Sequence, residues 1–116
     1  MKGLKIKEKW LNLILLGDKT WEIRGNNCNI RGRIGLVQCG SSMVYGEINM
    51  IGAIPLDRNT FINNRDKHHV DISWEELLER YKTPYAWIME DVESYKEPKK
   101  FKNLQGSVKW VNIDFI

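Results

Sequence analysis

The stretch "GDKTWEIRG", Gly17 to Gly25, places Asp18, Lys19, Glu22 and Arg24 around a central Trp21, with a glycine at each end. The residues before it, "KWLNLILL", put Trp10, Leu13, Ile14 and Gly17 at helical spacing. Gly17 then reads as the stop of a short helix, because glycine enters the left-handed conformation of a C′ position without a Cβ penalty. Directly afterwards "TWEIR" alternates, with Trp21 and Ile23 on one side and Thr20, Glu22 and Arg24 on the other, the period of a strand. One helix and one strand are thus joined by a tight polar turn.

With Trp21 and Ile23 packed into a core, Glu22 and Arg24 would project together from the other face, about 6–7 Å apart along the strand. Lys19, in the turn, could reach the same spot. Three such groups at the end of a helix could bind phosphate, polarise a carbonyl, or act as acid and base where burial shifts their pKa values. The alternative is an exposed ladder of ion pairs with little energetic consequence.

Working outward, "LKIK" reads as a short strand, and "GNNCN" is turn chemistry. "GRIGLVQC" and "VYGEINMIGAI" read as two strands joined by the polar turn "GSSM". In "DISWEELLERY", Ser73 and Glu76 form a capping-box pattern, followed by an apolar stripe of Trp74, Leu77, Leu78 and Tyr81. "PYAWIME" and "GSVKWVNIDFI" follow as strands, the second with Val108, Trp110 and Asn112 on one face and Lys109, Val111 and Ile113 on the other. "KEPKKFK" suits an exposed connection or edge. Short strands with one early and one late helix argue an α+β fold: a small, barrel-like sheet of about five to seven mostly antiparallel strands with two or three flanking helices.

With 116 residues the chain has room for one core, so residues 1–116 read as a single domain. The only long apolar run, Trp10 to Gly17, is far short of the ~20 residues a membrane span needs. "MKGLKIKEKW" lacks the apolar segment and cleavage site of a secretory leader. Cys28 and Cys39 accordingly read as free thiols in a reducing cytoplasm. Neither has a second Cys or a His at metal-ligand spacing, and no phosphate-binding glycine loop or carboxylate cluster stands out, so no metal and no cofactor is expected.

Charge is unevenly spread. Residues 1–36 hold eight Lys/Arg against three Asp/Glu; residues 37–95 hold five against ten; residues 96–116 hold five against two. If the two ends of the chain lie side by side they form a basic face suited to a polyanion, the alternative being lysines that merely solvate a small protein.

"GLKIKEKWLNLILLGDKTWEIRG", then "RGRIGLVQCGSSMVYGEINM", "PYAWIMED" and "GSVKWVNI" together resemble an ASCH domain, a member of the PUA-like group of small β-barrels. The specific part is the pattern G-x-K-x-x-E-x-R, met by Gly17, Lys19, Glu22 and Arg24. The resemblance covers nearly the whole chain. It implies a roughly six-stranded barrel with flanking helices and a cleft beside the first helix, lined by that Lys, Glu and Arg. It also implies action on RNA or nucleotides. Relatives are associated with cleavage of single-stranded RNA and with hydrolysis of the acetyl amide of acetylated cytidine. In the amidohydrolase relatives the pattern reads K-T-x-T-x-R, with threonine at the place of Glu22; here Thr20 stands two positions early, and that mechanism is not carried over.

The resulting expectation is an RNA- or nucleotide-binding domain in the cytoplasm, with single-stranded RNA, a nucleotide or a nucleoside as partner and no membrane. Lys19 and Arg24 would hold phosphate and Glu22 would pair with one of them or accept from a base edge. Trp21, Tyr85 and Trp87 are stacking candidates by their strand positions, although Trp87 (like Trp74 and Trp110) reads better as core. Ser41 and Ser42 would offer hydroxyls and turn amides near a phosphate, or simply make a turn. As an enzyme, a ribonuclease or an acetylated-cytidine hydrolase, the chain would use Lys19 as base or electrostatic stabiliser and Glu22 as proton shuttle. His68 and His69 read as exposed residues of a polar loop. A third possibility is a protein-interaction module with an apolar patch beside "KEPKKFK".

Overall fold

The computed structural model describes residues 1–102 and 109–115. In chain order the elements are β1 (Lys2–Ile6), α1 (Glu8–Leu15), β2 (Trp21–Arg24), β3 (Gly32–Gln38), β4 (Met43–Pro55), α2 (Arg58–Ile62), α3 (Arg65–His68), α4 (Trp74–Arg80), β5 (Tyr85–Lys100) and β6 (Trp110–Asn112). The six strands form one curled sheet, a half-barrel, in the order β2-β5-β4-β3-β1-β6. Among the described residues only β1 and β3 run parallel; the other four pairings are antiparallel. The α+β, barrel-like expectation is met. Of the four helices, α2 and α3 are too short to show a periodic stripe in the sequence.

The capping box is present as expected: Glu76 N–H donates to Ser73 Oγ, and the Glu76 carboxylate accepts from Ser73 N–H. Within α4, Leu77 is buried while Leu78 is exposed, so the stripe is narrower than its spacing suggested. "KEPKKFK" is not a connection. Pro98, Lys99 and Lys100 continue β5 as far as the pairing Met43↔Lys100, and because β2 covers β5 only over Tyr85–Ile88 this far half is an exposed edge on its other side. Val108 lies outside the described residues. Among the described residues no helix is long and apolar enough to cross a membrane.

Three apolar clusters support the sheet. The main one fills the inside of the curl with Leu4, Leu11, Ile14, Leu36, Met50 and Trp87. A second lies between the outer face of β2–β5 and the helices α2–α4, and contains Trp21, Ile23, Phe61 and Leu77. A third joins Val37, Val44, Phe101, Val111 and Ile113. Strand β2 is therefore covered on both faces. The first and last strands pair directly, Lys2↔Asn112 to Leu4↔Trp110, so the two basic ends of the chain do lie side by side.

The curl does not close between β2 and β1/β6. Side chains bridge the gap instead: Arg24 Nη2 donates to the Lys5 carbonyl (3.0 Å) and Lys109 Nζ to Asn26 Oδ1 (3.1 Å), while Trp87 Nε1 of β5 holds Asn26 in place through its carbonyl (2.8 Å). The candidate site lies at this seam.

Candidate functional site

Helix α1 delivers Lys19. Past the C-cap Leu16, Gly17 adopts φ +84°, and its N–H donates to the Ile14 carbonyl while Asp18 N–H donates to Leu13 (both 3.0 Å). These are the two bonds of a Schellman stop, satisfying carbonyls the helix leaves orphaned. Lys19 N–H also donates to Leu13 (3.1 Å), which turns the lysine inward. Its Nζ donates to the His68 carbonyl (2.5 Å), lies 3.6 Å from Glu22 Oε1 and sits 4.6 Å from the centroid of the Trp10 ring. Burial penalises the ammonium and lowers its pKa to about 8, although Glu22 pulls the other way; Arg24 adds a smaller repulsion.

Strand β2 delivers Glu22 and Arg24. They stand opposite Trp87 and Tyr85 of β5, so all four side chains share the inner face of the curl. Glu22 Oε2 accepts from Arg24 Nε (2.9 Å) and lies 2.8 Å from Arg24 Nη2. With the Lys5 carbonyl as a further acceptor and the Trp87 ring 5.5 Å beneath, the guanidinium is held on several sides. The shared face of Glu22 and Arg24 is as the alternation implied, but the exposed-ladder alternative is overturned: Lys19 is 1% and Glu22 4% exposed. Two cations and one anion leave the buried triad with one net positive charge.

Around the triad opens a cleft of about 350 Å³. Its floor is Lys19, Glu22 and Arg24. The strand ends at the seam bring Lys5, Lys7 and Lys109, and the end of α4 brings Arg80 and Tyr81. Trp10 and Cys39 complete the rim, and Val70 and Leu77 form an apolar strip. Among the described residues, six cations thus face a cavity whose one carboxylate, Glu22, is already ion-paired.

Not every residue singled out by sequence converges here. Trp21 is buried in the second cluster, on the outer face of β2, with the Lys67 ammonium 5.2 Å from its ring centroid; it does not line the cleft. Tyr85 packs against the main core, and Trp87 is core, stacked on Trp110 at 5.9 Å. Ser41 closes the β3–β4 turn, its hydroxyl donating to the Gln38 carbonyl (2.9 Å), and neither it nor Ser42 lines the cleft. Cys28 and Cys39 are both free thiols, the first buried and the second exposed. His68 departs most from expectation. It is fully buried rather than exposed, stacked on Phe61 at 4.6 Å and 3°.

The residues that sequence reading missed are Trp10, Arg80 and Tyr81, together with Lys5, Lys7 and Lys109 from the two basic ends. Only the basic ends carried any signal, through their charge.

The chain matches the model of the ASCH domain over residues 4–109. It is similar in structure to a serine-to-alanine mutant of the ASCH protein from Zymomonas mobilis, with a TM-score of 0.65 at 16% identity, covering 85% of this chain and 72% of that one. A tyrosine-to-phenylalanine mutant of the same protein gives 0.64 at 17%, covering 85% and 74%, and the structure described simply as ASCH from Zymomonas mobilis gives 0.61 at 16%, covering 80% and 68%. No curated protein matches the chain. At such identities the structural likeness speaks for the fold, a PUA-like half-barrel, and the family model speaks for descent. The curled sheet and a family match spanning nearly the whole length agree: the chain belongs to the ASCH domain family.

Proposed function

We propose that the cleft binds the phosphates of single-stranded RNA or of a nucleotide. The observation that carries this reading is the convergence of Lys5, Lys7, Lys19, Arg24, Arg80 and Lys109 on one cavity with a single, already paired carboxylate. Like charges gathered from separate parts of the chain repel one another, and an anion relieves that repulsion. In this reading Arg24, oriented by Glu22 and the Lys5 carbonyl, presents a fixed guanidinium to a phosphate. Lys5, Lys7, Arg80 and Lys109 supply the outer contacts. Lys19, with no exposed side-chain surface, contributes through the field of the triad and through the position of Glu22.

The test is binding of a fluorescent single-stranded oligoribonucleotide over a range of salt. Counterion release makes log K fall with log[salt], by about 0.7 per phosphate neutralised on a single strand. A slope of magnitude about 2 or more is expected, reduced by about 1 in the double variant Lys7→Ala with Arg80→Ala. Salt-independent binding, or none at low salt, would overturn the reading.

One observation favours a second reading, an enzyme acting on RNA or on acetylated cytidine. Lys19 has a pKa near 8 beside a buried carboxylate, an arrangement suited to proton transfer near neutral pH. Product analysis after incubation with both substrates tests it, with Lys19→Met as the control. Turnover that is equal in the variant, or absent in the parent, rules the catalytic role out.

A further inference from the structure

Resting on the phosphate-binding reading, we propose that the cleft recognises a nucleoside 5′-polyphosphate group, either a free nucleotide or the triphosphorylated end of an RNA, and that Tyr81 is the platform for its base.

The first argument is charge against size. The six cations and Glu22 leave the cleft with five net positive charges within about 350 Å³. That volume is at the lower end of small-ligand sites. An internal stretch of RNA brings one negative charge per nucleotide and needs an open path in two directions. The cleft instead has a floor closed by Lys19, Glu22 and Arg24, with Trp10 over the Lys19 ammonium. A ligand confined to it matches the charge only by concentrating several anions on one nucleotide, as a di- or triphosphate does.

The second argument concerns the aromatics. Two ring systems line the cleft, Trp10 and Tyr81. The Trp10 ring already carries two ammonium groups, Lys9 and Lys19, each 4.6 Å from its centroid. Tyr81 carries none. Its ring is set in place by Gly25, where even a Cβ would come within 2.8 Å of Tyr81 Cδ1. A fixed, partly exposed ring beside the apolar Val70 and Leu77 and next in sequence to Arg80 suits a base whose phosphates run toward the cations. Donor chemistry adds a third point. The lining offers a divalent cation no unpaired carboxylate, so the protein's own cations take the place that magnesium has in most polyphosphate sites.

Calorimetric titration of the full chain with a nucleoside and its 5′-mono-, di- and triphosphate tests this, in the presence and absence of magnesium. Inorganic tripolyphosphate and two oligoribonucleotides of one sequence, with 5′-triphosphate and with 5′-hydroxyl ends, complete the set. Affinity is expected to rise about tenfold or more from mono- to triphosphate, without any need for magnesium. Tripolyphosphate is expected to bind about five- to a hundredfold more weakly than the nucleoside triphosphate, the weight of one stacked base. Tyr81→Leu should erase that difference and Tyr81→Phe should keep it. If the triphosphorylated oligonucleotide equals the free nucleotide, the group recognised is an RNA end; if it binds far more weakly, it is a free nucleotide. A triphosphate that binds no more tightly than the monophosphate, together with equal affinity for the 5′-hydroxyl and 5′-triphosphate oligonucleotides, overturns this inference while leaving phosphate binding intact. Failure of every phosphorylated ligand to bind overturns both.

Discussion

Lys19 Nζ donates to the backbone carbonyl of His68, 2.5 Å away and 49 residues on, and both residues are buried. The bond joins the turn after α1 to the end of α3. It begins a continuous chain of polar contacts from the second core through Lys19, Glu22 and Arg24 to the Lys5 carbonyl. His68 is itself fully specified. Its Nδ1 accepts from Val70 N–H (2.9 Å), so Nε2 must carry the proton and donate to the Phe61 carbonyl (2.7 Å). The candidate site and the helical layer behind it are therefore one polar assembly, and its titrations reach both.

An alkaline pH dependence follows for Lys19. Its pKa is about 8 in the fold and about 10.4 unfolded. Between these values the unfolded chain binds more protons, so stability rises with pH; below pH 8 the full burial penalty is present. Relative to Lys19→Met, which has no group to titrate there, the wild type should gain up to about 3 kcal/mol between pH 8 and 10.5. Urea melts of both proteins across that range measure the difference, and parallel curves would refute the assignment.

An acid dependence follows for His68. Burial, outweighing the bond to Phe61 and reinforced by Lys19, Arg65 and His69, lowers its pKa from the usual 6.5. On acidification the unfolded histidine takes up a proton first, so stability declines as pH falls below about 6.5. His68→Phe keeps the stack on Phe61 but leaves the Phe61 carbonyl and Val70 N–H unpaired. It should cost about 2 kcal/mol at pH 7.5, and that cost should shrink toward pH 5. Thermal melts at the two pH values decide; a cost that stays constant would contradict the neutral, buried imidazole.

Glu22→Gln separates the electrostatic role of the triad from its packing. The amide keeps the shape of the side chain but leaves two buried cations without an anion. Removing one partner from such a network costs about 3–5 kcal/mol. The Glu22 attraction that raises the Lys19 pKa disappears too, so Lys19 should titrate below 8. Carbon-detected NMR of the Lys19 side chain reads the shift directly, and an unchanged or higher pKa would show that the two residues are not coupled.

Much of this was legible in the chain itself, and the missing parts have a common cause. Helix stop, strand alternation and capping box depend on residues within a few positions of each other, so Gly17, the Glu22–Arg24 face and Ser73–Glu76 could be read locally. Burial of the triad could not be. The alternation of "TWEIR" shows which residues share a face, but not that α2–α4 cover one face while the curled sheet encloses the other. Trp21 looked like a ligand contact for the same reason. Arg80, Tyr81 and Lys109 reach the cleft from elements distant in sequence from Lys19, and no short pattern announces such a meeting. His68 misled because "RDKHH" is polar throughout, whereas tertiary hydrogen bonds satisfy both of its ring nitrogens.

The placement of the site also depends on how closely β4 approaches β5, and two glycines of β4 distinguish close contact from open space. A Cβ on Gly46 would lie 2.5 Å from the Glu93 backbone carbonyl oxygen and 2.9 Å from Leu15 Cδ2. The backbone cannot swing aside as a side chain does, so Gly46→Ala must part the two strands. The neighbouring Ser94 hydroxyl donates to the Leu15 carbonyl at the end of α1 (2.9 Å), and the displacement would pass to the turn that holds Lys19. A Cβ on Gly52 meets nothing nearer than Ile88 Cδ1 at 3.9 Å. Gly46→Ala should therefore cost about 1–3 kcal/mol, while Gly52→Ala should be neutral or stabilising by up to about 1 kcal/mol. Denaturant melts of the two variants give the comparison, and equal effects would show that strand approach at Gly46 is not what limits the substitution. The Lys19 titration in Gly46→Ala carries the argument to the site: loosening the turn lets water reach the ammonium and should move its pKa from about 8 back toward its unburied value.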